Sequence, residues 1–134
     1  MFELSIESRF SAAHAIRIGG TLEPLHGHDW LVTLTIAGDT LDQDGLLCDF
    51  HSIEEALRSI TGRFHNRCLN DTTPFDSVNP TAEHVAAHIA ERIAPMLPAE
   101  ARVVSVRVTE APGCAATFRP RHGHDRGEIT RPGS

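Results

Sequence analysis

Apolar and polar residues alternate along two segments in the first part of the chain. The apolar positions are Phe2, Leu4, Ile6 and Phe10 in the first segment and Trp30, Val32, Leu34 and Ile36 in the second. A period of two residues is typical of a half-buried β-strand. We predict that these segments form the first two strands, and that residues 103–109 and 114–119 form the third and fourth.

Two segments in the middle of the chain have helical spacing instead. Ser52 followed by Glu55 is a capping box, and the apolar residues after it recur every three or four positions until Gly62. Thr81 is predicted to cap a second helix, whose apolar positions extend to Met96. The predicted order is therefore ββααββ, an α+β arrangement.

Composition narrows the chemistry. All 12 basic residues among the 134 are Arg, and Lys and Tyr are absent, which excludes a lysine Schiff base and a tyrosine acid. The net charge of -6 argues against a nucleic-acid partner. The three cysteines form no close pair, which is typical of a reducing compartment. The sequence also shows neither an apolar run long enough to span a membrane nor a signal-peptide core. We therefore expect a cytoplasmic protein without a membrane contact.

The end of the chain differs in composition from the rest. We predict one domain over residues 1–120 and a flexible tail, rich in Gly, Pro and Arg, over residues 121–134. The tetrapeptide His-Gly-His-Asp occurs at 26–29 and again at 122–125. The second copy has no third ligand at a fixed position nearby, which favours a solvated pair over a second metal site.

Three histidines are predicted to converge. His26 and His28 begin the second strand and point to the same face, because alternate residues of a strand do so. His14 ends the first strand, and antiparallel pairing would bring it beside them. Three imidazoles with an open fourth position are typical of a catalytic zinc site. The alternative interpretation is that the three histidines are exposed residues at strand ends and bind no metal. The connecting segment, with Gly19 and Gly20, is long for a hairpin, which favours a functional loop.

The order and spacing of several motifs resemble those of the 6-pyruvoyltetrahydropterin synthase and 6-carboxytetrahydropterin synthase family. The motifs are Phe10-Ser11-Ala12-Ala13-His14, Leu25-His26-Gly27-His28, Asp49-Phe50, Leu69-Asn70-Asp71, Asn79-Pro80-Thr81-Ala82-Glu83 and Thr109-Glu110. The resemblance implies a tunnelling fold, with an antiparallel four-stranded sheet and two helices on one face. It also implies edge-to-edge pairing of subunits into a trimeric barrel, and a homohexamer built as a dimer of trimers.

The resemblance further implies Zn²⁺ on His14, His26 and His28 and a dihydroneopterin triphosphate substrate. It places Glu110 and Thr81 at the substrate. Glu110 matches the family's pterin anchor, and a carboxylate can accept two parallel hydrogen bonds from the 2-amino group and N3–H of a pterin. A strand-end carboxylate in solvent is the alternative.

The alternation of the third strand bears on Glu110. Val104, Val106 and Val108 are predicted to share its apolar face, and Glu110 continues the same parity. An unpaired charge would be costly there, so we expect the Glu110 carboxylate to have a partner.

The sequence departs from the family pattern at two places. The family's cysteine, four residues before His26, is Leu22 here, and Glu23 follows it. This resembles a paralogue type in which glutamate replaces cysteine and 6-hydroxymethyl-dihydropterin is formed, so Glu23 is a candidate base; a solvated loop carboxylate is equally consistent. The family's Asp-His pair is His65-Asn66 here, which makes His65 a candidate general acid or base.

The prediction is a zinc-dependent pterin-forming lyase, with a catalytically inactive zinc- and pterin-binding homologue as the alternative. Arg17, Arg63 and Arg67 are candidate phosphate ligands, because Arg binds phosphate in a bidentate manner. Cys48 and Cys68 are left unassigned, because a free cysteine is most often a small buried apolar residue.

Overall fold

A computed structural model describes residues 1–121 of the chain and shows a five-stranded sheet with two helices. In chain order the elements are β1 (Phe2–His14), β2 (Arg17–Ile18), β3 (Thr21–Leu22), β4 (His26–Gly38), α1 (Phe50–Thr61), β5 (Arg67–Cys68), α2 (Ala82–Ile93), β6 (Arg102–Ala111) and β7 (Cys114–Phe118). The predicted α+β class and ββααββ order of the long elements are confirmed.

The sheet has the strand order β5-β1-β4-β6-β7. The four long strands are antiparallel, as predicted. The prediction missed β5, which pairs parallel with Ala12 and Ala13 of β1 and makes the sheet mixed. It also missed the separate β2–β3 hairpin. Two-residue strands are too short to show alternation, so the spacing of apolar residues does not predict them.

The core lies between the sheet and the two helices. The buried cluster combines residues of both layers: Ile6, Phe10, Trp30, Val32, Leu34 and Ile36 from β1 and β4, and Ile53, Leu57, Ile60, Val85, Ile89 and Ile93 from the helices. Phe10 and Trp30 stack with ring centroids 5.6 Å apart, and the Trp30 indole donates a hydrogen bond to the Ala12 carbonyl (3.2 Å). This packing fixes the β1–β4 pair directly beside the predicted metal ligands.

The N-cap residues of the two helices are Asp49 for α1 and Thr81 for α2. Thr81 caps α2, because its hydroxyl accepts a hydrogen bond from the His84 amide (3.1 Å). The prediction of Ser52 as the cap of α1 is wrong: the Asp49 carboxylate accepts from the His51 amide (3.1 Å). Asp49 has the extended backbone of a cap residue, and a carboxylate satisfies the free amides of a first turn as well as a hydroxyl does.

The alternation predicted for the third strand is also corrected. The β4–β6 register shifts so that Thr35 faces Ser105 while Ile36 faces Val103. The extra residue, Val104, is only half-buried, and Val103 is in the core instead. A β-bulge of this kind reverses the parity of the residues on one side of it.

Part of the predicted tail is not described. Residues 122–134, including the second His-Gly-His-Asp, lie outside the described part of the chain. Within residues 1–121, neither helix is long and apolar enough to cross a membrane.

Candidate metal centre and active site

The three predicted metal ligands lie together at the end of the β1–β4 pair. His14 faces His26 across the two strands, and His28 faces Ala12 two residues further along. The imidazole centroids are 4.7 Å apart for His14 and His26, 5.3 Å for His14 and His28, and 4.7 Å for His26 and His28. The His26-x-His28 spacing puts two rings on one face of β4, and the antiparallel pairing with β1 brings the His14 ring beside them.

Backbone carbonyls orient two of these rings. Nδ1 of His14 lies 2.8 Å from the Pro80 carbonyl oxygen, and Nδ1 of His26 lies 2.9 Å from that of Pro24. A carbonyl only accepts, so each Nδ1 carries the proton and donates it. The lone pair of each Nε2 is thereby left free, as a metal ligand requires.

Two of the ligand atoms have no hydrogen-bond partner. Nε2 of His14 and Nε2 of His28 are both buried and unsatisfied among the residues described. A buried polar atom without a partner costs about 1–3 kcal/mol, unless an ion or water supplies the missing interaction. Burial lowers the pKa of His28 and outweighs the opposing Glu110 carboxylate, which favours the neutral, metal-binding form of the ring. These imidazole nitrogens are suitable ligands for a zinc ion.

Glu110 joins the same cluster. Its Oε1 lies 2.8 Å from Nε2 of His14 and 3.7 Å from Nε2 of His28. One ligand atom from each of the four residues, including His26, lies within 4.8 Å of the others. A carboxylate oxygen facing imidazole lone pairs is repulsive unless a cation, either a proton or a metal ion, lies among them. Glu110 therefore faces the histidine cluster, and a cation bound among these atoms would be its partner.

Glu23 lies at the edge of this cluster because of a tight hairpin. Gly19 and Gly20 have φ values of +58° and +84°; a type I′ hairpin turn needs positive φ at both central residues, and glycine supplies it without strain. The chain returns from this turn to place Glu23 Oε1 3.7 Å from Nε2 of His26. The same oxygen accepts a long hydrogen bond from the Ile16 amide (3.4 Å). The structure thus brings the candidate base to the clustered histidines.

The other predicted site residues lie elsewhere. Nδ1 of His65 accepts a hydrogen bond from the Ser11 amide (3.1 Å), and His65 does not join the histidine cluster. The Thr81 hydroxyl caps α2, although Thr81 directly follows the Pro80 carbonyl that holds His14.

The candidate phosphate ligands are spread over three pockets. Arg17 lines one beside Asn79, Arg67 lines a second beside His28, and Arg63 and Arg67 share a third. These three residues do not form a single cationic cluster in the isolated chain.

Neither unassigned cysteine belongs to the cluster of His14, His26, His28 and Glu110. Cys48 lines a pocket of about 730 Å³ that contains none of the clustered histidines. Burial raises the pKa of its thiol, which disfavours the reactive thiolate. The thiol of Cys68 contacts the Asn70 side-chain oxygen at 3.9 Å.

A family model described as 6-pyruvoyl tetrahydropterin synthase matches residues 3–121. The chain belongs to this family. It is 32% identical to a 6-carboxy-5,6,7,8-tetrahydropterin synthase of Bacillus subtilis over 131 residues, covering 91% of this chain and 88% of that protein. It is 30% identical to a dihydroneopterin monophosphate aldolase of Pyrococcus furiosus over 101 residues, covering 75% of this chain and 82% of that protein.

A solved structure shows the same fold. It is a Plasmodium vivax 6-pyruvoyltetrahydropterin synthase, a mutant in which a catalytic glutamate is replaced by alanine. It matches with a TM-score of 0.76 and 20% identity over 90% of this chain and 98% of that one. The predicted family and the tunnelling fold of the single chain are confirmed. The synthases and the aldolase named here are lyases, in agreement with the predicted enzyme class.

Proposed function

We propose that this protein is a zinc-dependent lyase that acts on 7,8-dihydroneopterin triphosphate or a close relative. His14, His26 and His28 hold the metal in this proposal, and Glu23 is the base. The observation that carries it is a carboxylate 3.7 Å from His26 at a cluster in which two buried Nε2 atoms lack a partner. When bound, zinc would supply Lewis-acid polarisation of the substrate's side-chain oxygens.

Glu23 favours carbon–carbon cleavage to 6-hydroxymethyl-dihydropterin. In that reaction a base takes the proton of a side-chain hydroxyl, the adjacent carbon–carbon bond breaks, and a proton returns to the carbon that stays on the ring. In this proposal Oε1 of Glu23, 3.7 Å from Nε2 of His26, holds that proton. One similar protein supports this choice, because the Pyrococcus furiosus relative is named an aldolase.

Glu110 has two candidate roles, one at the metal centre and one as the predicted pterin anchor. The 2-amino edge of a pterin lies across the bicyclic ring from the C6 side chain that must reach the metal. A carboxylate 2.8 Å from the Nε2 of His14 is close to the metal end of such a substrate. We therefore propose that Glu110 supports the metal in the isolated chain. Its role as the pterin anchor stays a prediction, as does the substrate contact of Thr81 beside Pro80.

The open edges of the sheet support the proposed homohexamer. Among the described residues, β5 pairs only with Ala12 and Ala13, so most of the outer edge of β1 has no strand partner. β7 forms the opposite edge. Unpaired strand edges pair readily with another chain, and a second copy offers the complementary edge. Light scattering on the purified protein measures the number of subunits directly.

Product analysis tests the proposed reaction. Zinc-loaded protein should convert dihydroneopterin triphosphate, or the monophosphate, to 6-hydroxymethyl-dihydropterin. Glu23→Gln should lower kcat by about 10²-fold or more while the zinc content stays at the wild-type level. Glu54→Gln is a matched control, because Glu54 also lies three residues from a histidine, at 3.4 Å from His51, but on the surface. Full activity of Glu23→Gln would refute the assignment.

One observation favours a second candidate function, a binding protein without turnover. His65-Asn66 replaces the family's Asp-His pair, and His65 does not join the histidine cluster. This candidate predicts stoichiometric binding of zinc and of dihydroneopterin, with no product from either phosphorylated substrate and no effect of Glu23→Gln on binding.

A further inference from the structure

Two asparagine side chains hold the backbone that follows β1. Asn79 donates to the Arg17 carbonyl (2.9 Å) and accepts from the Arg17 amide (2.8 Å). Asn70 does the same for Ala15, donating to its carbonyl (2.8 Å) and accepting from its amide (2.9 Å). Each side-chain amide thus takes the place of a neighbouring strand, since it satisfies both backbone groups of one residue.

The residue between these two positions contacts Glu23. The Ile16 carbonyl accepts from the Glu23 amide (3.0 Å), and the Ile16 amide donates to the Glu23 carboxylate (3.4 Å). The segment 15–17 is therefore held by asparagines at its two ends and binds Glu23 at its centre. Because Glu23 follows a hairpin of only six residues, its placement depends on how firmly this segment is held.

We propose that Asn70 and Asn79 are positioning residues for Glu23. They act through the segment 15–17, which keeps the Glu23 carboxylate beside His26. Neither asparagine belongs to the metal-binding cluster. Their catalytic effect rests on the proposed function of Glu23 as the base, whereas their effect on the segment itself does not.

Kinetics of Asn79 variants test the catalytic part. Asn79→Ala should lower kcat by about 10²-fold, as expected for a displaced catalytic group, with little change in KM or zinc content. Asn79→Asp keeps the acceptor for the Arg17 amide but loses the donor, and should retain intermediate activity. Ser77→Ala, in the same loop, is the control and should match the wild type.

A double variant separates positioning from a general structural role. If Asn79 acts through Glu23, then Asn79→Ala combined with Glu23→Gln should be no slower than Glu23→Gln alone, within about twofold. Multiplied losses in the double variant would overturn the proposal. So would an Asn79→Ala variant with the kcat of the Ser77→Ala control.

Hydrogen exchange tests the segment without relying on turnover. In Asn79→Ala and Asn70→Ala the amides of Ile16, Arg17 and Glu23 should exchange at least tenfold faster, while those in the middle of the β1–β4 pair stay at wild-type rates. Unchanged exchange at Glu23 in both variants would overturn the inference whatever the activity. If the wild type shows no turnover, the proposed function fails, and the exchange of the Glu23 amide alone decides whether the asparagines position it.

Discussion

Replacing His14 and His26 separately by alanine should have equal effects on metal binding and unequal effects on stability. His14 is fully buried and packs edge-on against Trp30 at a centroid distance of 4.9 Å, whereas the His26 side chain is 40% exposed. Without metal, His14→Ala leaves a cavity and loses the bond to Pro80, but it also removes the unpartnered Nε2, so the net cost should be about 3 kcal/mol. His26→Ala should cost about 1 kcal/mol or less.

These free energies convert into measurable melting temperatures. For a chain of 134 residues the unfolding entropy is about 0.28 kcal/mol/K, so His14→Ala should lower the Tm of the metal-free protein by about 10 °C. Zinc at a thousandfold excess over its Kd should stabilise the wild type by about 4 kcal/mol, or about 15 °C. Both variants should lose most of that rise, because each removes one of three imidazole ligands.

Calorimetry with a chelator measures the Tm of the metal-free protein, and calorimetry with added zinc measures the zinc-induced rise. Mass spectrometry of the native protein counts the bound metal ions. His51→Ala is the control, since the His51 side chain is 92% exposed and lies outside the cluster. A His26→Ala variant that keeps the full zinc-induced rise in Tm would refute the metal site. Equal Tm values for the two metal-free variants would refute the burial argument.

Glu110→Gln should weaken zinc binding about tenfold in competition with a chelator, and an unchanged affinity would contradict its role at the metal. Burial lowers the pKa of His88, and Arg92 acts in the same direction, so the folded protein favours the neutral ring and becomes less stable as the pH falls below about 6.5. The Tm of His88→Phe should therefore fall less than that of the wild type between pH 7 and pH 5. Equal decreases in Tm would exclude this effect. Asp49→Ala should destabilise the protein by about 1 kcal/mol in urea unfolding and Ser52→Ala by less, and the reverse order would restore Ser52 as the cap.

The long elements were predictable because burial imposes a period on them. The alternation that ends at His14 and resumes at His26 specifies two strands with a common buried face, and antiparallel pairing then places the two histidines opposite each other. The three-histidine centre was visible in the sequence for the same reason. It depends on strand parity and on one pairing, and both are local consequences of the pattern.

Features that depend on distant partners were missed. The bulge at Val104 is a shift in the pairing register between β4 and β6. The two residues of β5 form a strand by pairing with Ala12 and Ala13 at the edge of β1. The carbonyl that orients His14 belongs to Pro80, and a backbone acceptor leaves no signature in side-chain identity. The β2–β3 hairpin did carry a signal, because Gly19-Gly20 is a favoured pair for a two-residue turn.

Two Glu-His pairs have the same sequence spacing but different surroundings, so the spacing alone does not establish a catalytic role for Glu23. In both pairs the carboxylate and the imidazole lie three residues apart, and the nearest atoms are 3.7 Å apart for Glu23 and His26 and 3.4 Å for His51 and Glu54. His51 is almost fully exposed, so solvent screens that pair. Glu23 is held by the Ile16 amide, within a segment that is itself held by two asparagines. A local motif of this kind becomes a candidate catalytic site only when tertiary contacts restrict its carboxylate to one position.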